Sequence, residues 1–201
     1  MWRGLPKFGL SSGAVEQVPF LLTMDVSVAI DQDEALVAEL HRLGVRHLAR
    51  LTPIEYPDPL TPGTLIAGLA ASEDARLQAA LILLFLQYPT YSRYLSTTLS
   101  QLSDPSANAL KLYYQAAVYL QTELAPVLRM GVEDWQTLPD YFSVELDLLP
   151  VGALSLNDAL KALGERHHQL SGWACNWSGS YQQNIPRFLK HLQHANGHQS
   201  L

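Results

Sequence analysis

The segment from Leu77 to Tyr88 constrains the fold most, because it is apolar on nearly every side of a helix. Leucine, alanine and phenylalanine recur there at helical spacing, and Ile82, Leu83 and Leu86 fill positions between them. A surface helix keeps one polar face, whereas a helix that is apolar all round has to be buried. The sequence therefore predicts a central helix that other helices cover.

Further helices are predicted on both sides of this central helix. Apolar residues at helical spacing follow Asp31, Pro89, Ser103, Ser155 and Ser180. These starts carry capping side chains or prolines, and the turns between the segments are short. Because short turns make neighbouring helices antiparallel, we expect a mainly α protein built as an antiparallel helical bundle.

The first thirty residues show a different pattern. Apolar and polar residues alternate from Met24 to Ile30, as they do in a half-buried strand. We therefore expect a small extended or β arm at the N-terminus. Four prolines then lie between residues 53 and 62 and disfavour helix there. This organisation predicts an arm with the first helix over residues 1–52, a proline-rich linker over residues 53–62 and a helical domain over residues 63–201, together one globular unit.

Charge and cysteine content limit the compartment and the partners. The net charge is −6, which disfavours sequence-independent binding of nucleic acid. The negative charge lies in residues 1–150, whereas residues 151–201 carry 4 Lys and Arg against 2 Asp and Glu. No apolar run approaches the ~20 residues that cross a bilayer. The single cysteine cannot form an intramolecular disulfide, and the N-terminus lacks the apolar core of a signal peptide, so a cytoplasmic protein is expected.

The segment over residues 165–181 is the most unusual in the chain. It holds two of the four tryptophans, the only cysteine and two adjacent histidines. Tryptophan, tyrosine and arginine dominate protein-binding hot spots, so an interaction surface is predicted here. Alternatively, the tryptophans pack against the end of the bundle. The candidate binding residues are Trp173, Asn176, Trp177, Tyr181 and Arg187.

Two constellations near the C-terminus could support chemistry. Cys175 with His167 or His168 has the residue types of a nucleophile and its base, although a lone cysteine is more often a small buried hydrophobe.

The second constellation is a set of three histidines, His191, His194 and His198, at spacings that place them on one helical face. The third follows Asn196 and Gly197, where the helix should already have ended. Solvated histidines at a helix C-terminus explain this pattern better than a metal site. Glycine-rich phosphate loops are also absent from the sequence. We therefore expect neither a metal nor another cofactor.

No signature in the sequence specifies a reaction. We expect a non-enzymatic interaction or regulatory protein that binds another protein through an aromatic-rich surface, with homo-oligomerisation left open. The alternative is an enzyme that uses His167, His168 and Cys175, with or without a metal. An enzyme should present these side chains in a concave, polar-lined pocket, whereas an interaction protein should expose an apolar surface.

Overall fold

The computed structural model of the chain describes residues 21–45, 58–132, 134–172 and 177, with only the backbone described for residues 21–31. These residues are mostly helical, which confirms the predicted mainly α class, and none of their helices is long and apolar enough to cross a membrane. The helices are α1 (Leu21–Arg42), α2 (Pro62–Ala71), α3 (Ala75–Gln87), a 3₁₀ helix (Pro89–Tyr94), α4 (Leu95–Leu99), α5 (Asp104–Gly131) and α6 (Leu156–Ser171).

The strand predicted from Met24 to Ile30 is wrong, because these residues are helical in α1. β-branched residues alternate there, but their preference for strand over helix is weak. Extending an existing helix by one residue costs little free energy, so the helix includes them. The remainder of the predicted arm, residues 1–20, lies outside the described residues, as do residues 53–57 of the predicted linker. The domain division stays a prediction.

Helix α2 was not predicted, because its proline and glycine content is typical of a loop. Pro62 instead occupies the first turn, and the hydroxyl of Thr61 accepts a hydrogen bond from the amide of Thr64. A Cβ on Gly68 would lie 2.7 Å from Leu36 Cδ2, so this glycine permits the close approach of α1 and α2.

Helix α3 is central, as predicted. It contacts α1, α2, the 3₁₀ helix and α5, and it is buried from Ala80 through Leu86 without a break. The apolar spacing along α3 and α5 also predicts that one set of residues shares the core, and all of them lie in one buried cluster. They are Leu77, Leu81, Leu84, Phe85, Leu112, Ala116 and Leu120.

The predicted starts of α5 and α6, after Ser103 and Ser155, are confirmed. Pro105 lies in the first turn of α5, which ends at Gly131. The hydroxyl of Ser155 accepts a hydrogen bond from the amide of Asp158 at 3.2 Å and starts α6. Gly172 has a φ of 75°, a left-handed conformation that suits glycine, and it ends α6.

Residues 134–154 form an irregular segment, here named the strap, which is fastened along α5. Side chains of α5 make hydrogen bonds to the strap backbone, so the strap needs no regular structure of its own. Tyr114 donates to the Pro139 carbonyl, Tyr119 donates to the Leu149 carbonyl, and Gln121 binds both the Gln136 carbonyl and the Leu138 amide.

We predict that Leu81→Ala destabilises the protein by about 2–5 kcal/mol, because it leaves a cavity in the core cluster. Leu81 is 0% exposed, whereas Leu149 is 54% exposed, so Leu149→Ala serves as the matched control. Urea denaturation measures both free energies of unfolding. Equal midpoints for the two variants would contradict the central position of α3.

We predict different effects on stability when two buried glutamines of α5 are replaced. Gln121→Met removes both hydrogen bonds to the strap and should cost about 1–3 kcal/mol. The amide atoms of Gln115 have no hydrogen-bond partner within the described part of the chain. Burial raises the pKa of the Tyr119 phenol, and the Gln115 amide only opposes that rise. Gln115→Met should therefore leave the thermal midpoint unchanged or raise it. A larger loss for Gln115→Met than for Gln121→Met would refute this assignment.

Candidate functional site

The candidate site is a cleft where the end of α2, the start of α3, the start of α5 and the end of α6 meet. Its volume is about 810 Å³, within the range of clefts that bind small molecules or side chains of a partner. The helix ends place it there, because α2 and α3 are joined by the short turn at Ser72, Glu73 and Asp74.

Small apolar residues form much of the wall. Short side chains leave room for another chain to bring its backbone close to the helices. Leu170, which is 37% exposed, adds larger apolar surface, whereas Leu112 and Tyr113 line the cleft as buried side chains. The alanines of the wall are Ala70, Ala71, Ala75 and Ala109.

Several polar groups of the cleft are engaged in local structure. The hydroxyl of Ser72 donates to the Asp33 carboxylate and accepts from the Asp74 amide. The amide of Gln78 donates to the Ser72 carbonyl at 2.9 Å, and the hydroxyl of Ser171 donates to the His167 carbonyl at 2.8 Å. These groups therefore fix the helix ends, and the apolar wall is the larger part of what a ligand would contact.

Three rings form an aromatic edge beside the cleft: Tyr113 and His167, which line the cleft, and Trp177, which packs against both of them. The Tyr113 and Trp177 centroids are 4.8 Å apart, and the His167 and Trp177 centroids are 5.6 Å apart. Trp177 is 2% exposed, as expected under the alternative that this tryptophan packs against the bundle. A role for Trp177 in binding stays a prediction.

Burial governs the charge of His167. It lowers the pKa of the imidazole, and the neighbouring His168 lowers the pKa further. A neutral imidazole at neutral pH can act as a base. Its buried Nδ1, however, has no hydrogen-bond partner among the residues that the structure describes. A catalytic imidazole is ordinarily oriented by a further group at that nitrogen.

Of the remaining predicted site residues, only His168 is described, and it is exposed on the last turn of α6. In the ranges covered by the structure, no group of three or more side chains has the composition of a metal site. The others lie outside the described residues. They are Trp173, Cys175, Asn176, Tyr181, Arg187, His191, His194 and His198.

Sequence reasoning missed the contribution of the α2–α3 turn to the site. The run from Ala70 to Asp74 combines small residues with acidic ones. Ser72, Glu73 and Asp74 were interpreted only as the start of the central helix, and Ala70 and Ala71 had no assigned place because α2 was not predicted. Alanine also gives little signal, because it is common on every helix face. Only the packing of helix ends reveals that these alanines share a wall.

Comparisons with known proteins identify no relative of this chain. No protein-family model, curated protein or solved structure matches this chain. Helical folds support many unrelated functions, so the fold by itself does not select one. The function has to be argued from the cleft.

We predict that His167 makes the protein less stable in acid. Because its folded-state pKa lies below the ordinary value of 6.5, the unfolded chain binds the proton more readily. Its contribution to stability is complete above pH 6.5 and is lost as the pH falls through the lowered pKa. His167→Gln should therefore reduce the loss of stability between about pH 7.5 and pH 5.

Urea midpoints at several pH values measure this difference. His168→Gln is the matched control and should retain most of the loss, because burial is the larger cause of the shift at His167. Identical pH dependence in the original chain and in His167→Gln would contradict the assignment.

Proposed function

We propose that this chain is an interaction or regulatory protein that binds a segment of another protein in the cleft. The observation that carries the proposal is an open cleft of about 810 Å³ with alanines along its wall and an aromatic edge. The cleft also brings the start of α5 beside the end of α6, which supports the antiparallel arrangement expected for these two helices. A cytoplasmic location stays a prediction.

A peptide segment suits this cleft because the wall offers apolar area and space. Helices that bind in grooves insert apolar side chains at spacings of three and four residues. Alanine walls let the backbone of such a segment approach closely. Since Ser72 and Gln78 are already hydrogen-bonded, their groups place few demands on the polar pattern of the segment.

The alternative function is an enzyme with His167 as its base. The observation in its favour is the lowered pKa of His167 in the wall of the cleft. Against it, the Nδ1 of this ring has no hydrogen-bond partner in the part of the chain that the structure describes. Cys175 lies outside those residues, so its distance from His167 supports neither function. The protein-binding function is therefore the stronger proposal.

Peptide display tests the proposed function. Peptides of random sequence are selected on the purified full chain, and the affinities of the enriched peptides are then measured for two variants. Ala75→Trp fills the cleft from an exposed position, and Ala153→Trp adds the same ring at an exposed position outside it. We predict that Ala75→Trp weakens binding by about 30-fold or more, equivalent to about 2 kcal/mol, whereas Ala153→Trp does not.

Two results would contradict the proposal. One is that no peptide is enriched, and the other is that enriched peptides bind both tryptophan variants equally well. Circular dichroism and thermal midpoints check that the two variants are folded. Hydrolysis or transfer activity that is lost in both His167→Gln and Cys175→Ser would instead favour the enzyme.

A further inference from the structure

The rim of the cleft is acidic. Glu73 lies in the wall, Asp33 accepts the hydrogen bond from Ser72, and Asp104 precedes the wall residue Pro105. Among the wall residues that the structure describes there is no Lys or Arg. Within the described ranges, Asp74 is the carboxylate of this turn that forms an ion pair, with 2.7 Å between its Oδ2 and Nη2 of Arg76. An occupant with basic residues would therefore complement the rim.

Trp177 is the last residue that the structure describes, and residues 178–201 follow it directly in the sequence. Its ring is buried against Tyr113 and His167, which both line the cleft. The stretch from residue 178 to residue 201 is therefore attached to a residue that packs against two residues of the cleft wall.

The chemistry of residues 178–201 matches the cleft. This stretch contains Arg187, Lys190 and three histidines, and it contains neither Asp nor Glu. Its apolar residues recur at helical spacing, as a segment that binds in an apolar groove requires. They are Tyr181, Ile185, Phe188, Leu189 and Leu192.

We propose that residues 178–201 bind in the cleft of the same chain and compete there with the external partner. This inference rests on the proposed function, and it makes that function regulated, because the partner has to displace the segment. Both the apolar stripe and the positive charge of the segment complement the site. A segment attached beside its site has an effective concentration in the millimolar range, which favours the same chain over a second copy.

Photo-crosslinking tests the occupant directly in the full chain. We would place p-benzoylphenylalanine at Ala75 in the wall and, as the matched control, at Ala153 outside it. After irradiation, the cross-linked peptides are mapped by mass spectrometry. We expect Ala75 to cross-link to residues 178–201 within one chain, at a yield that does not change with protein concentration, and Ala153 not to do so.

A second measurement uses a labelled synthetic peptide of residues 178–201 as the probe. We expect the full chain to bind it weakly, because its own segment occupies the cleft. Phe188→Asp in the full chain should release the cleft and raise the affinity by about tenfold, as expected when the competent fraction rises from about a tenth to nearly all. Adding Ala75→Trp to Phe188→Asp should abolish that gain.

The outcomes separate this inference from the proposed function. Absence of a cross-link from Ala75 to residues 178–201 would overturn the inference, and so would a cross-link that forms only between two chains. Equal affinity of the original chain and Phe188→Asp for the probe would overturn it as well. Display-selected peptides that still depend on Ala75 would, in that event, leave the proposed function standing.

Discussion

The apolar contact between α3 and α5 is the interaction on which the rest of the structure depends. Both helices bury side chains over most of their circumference, so neither can form a stable surface alone. Among the described helices, α3 and α5 have the most extensive contact with each other. Burial of apolar area contributes roughly 25 cal/mol per Å² to stability. Helices α1, α2 and α6 then cover what remains of α3 and α5. Because α3 has no polar face, other helices have to cover its sides. These helices meet around the ends of α3, and the cleft lies where they meet.

Polar side chains then select one arrangement of the segments that have little apolar surface. Gln121 binds the strap at two backbone atoms, so it fixes both the position and the register of the strap on α5. Glu39 acts similarly near α2, because its buried carboxylate pairs with Arg42 and accepts a hydrogen bond from the Leu60 amide. A buried acceptor that loses such a donor costs more free energy than the bond itself contributes, so these contacts exclude alternative packings.

The sequence predicted those parts of the fold that local rules determine. The centre of α3, the ends of α5 and the start of α6 follow from apolar spacing, proline and capping side chains. Met24–Ile30 and α2 were misjudged, because local preferences for strand or loop are weak. Met24–Ile30 continues the helix of α1, and α2 begins with its proline in the first turn. In the site, unusual composition pointed to His167 and Trp177. The alanine wall could not be found this way, since it exists only where separate helix ends meet.

The charge distribution gives the cleft a preferred kind of occupant. Residues 1–150 carry 9 Lys and Arg against 17 Asp and Glu, and the last 51 residues have the opposite sign. Charges at an exposed rim are screened within about 8 Å at physiological salt, so they steer an approaching segment more than they hold it. Retention has to come from apolar side chains packed against the alanine wall and Leu170. Salt should therefore lower the association rate of a basic segment and change its dissociation rate far less. The proposed competition between the segment and a partner then depends mainly on which of them buries more apolar surface in the cleft.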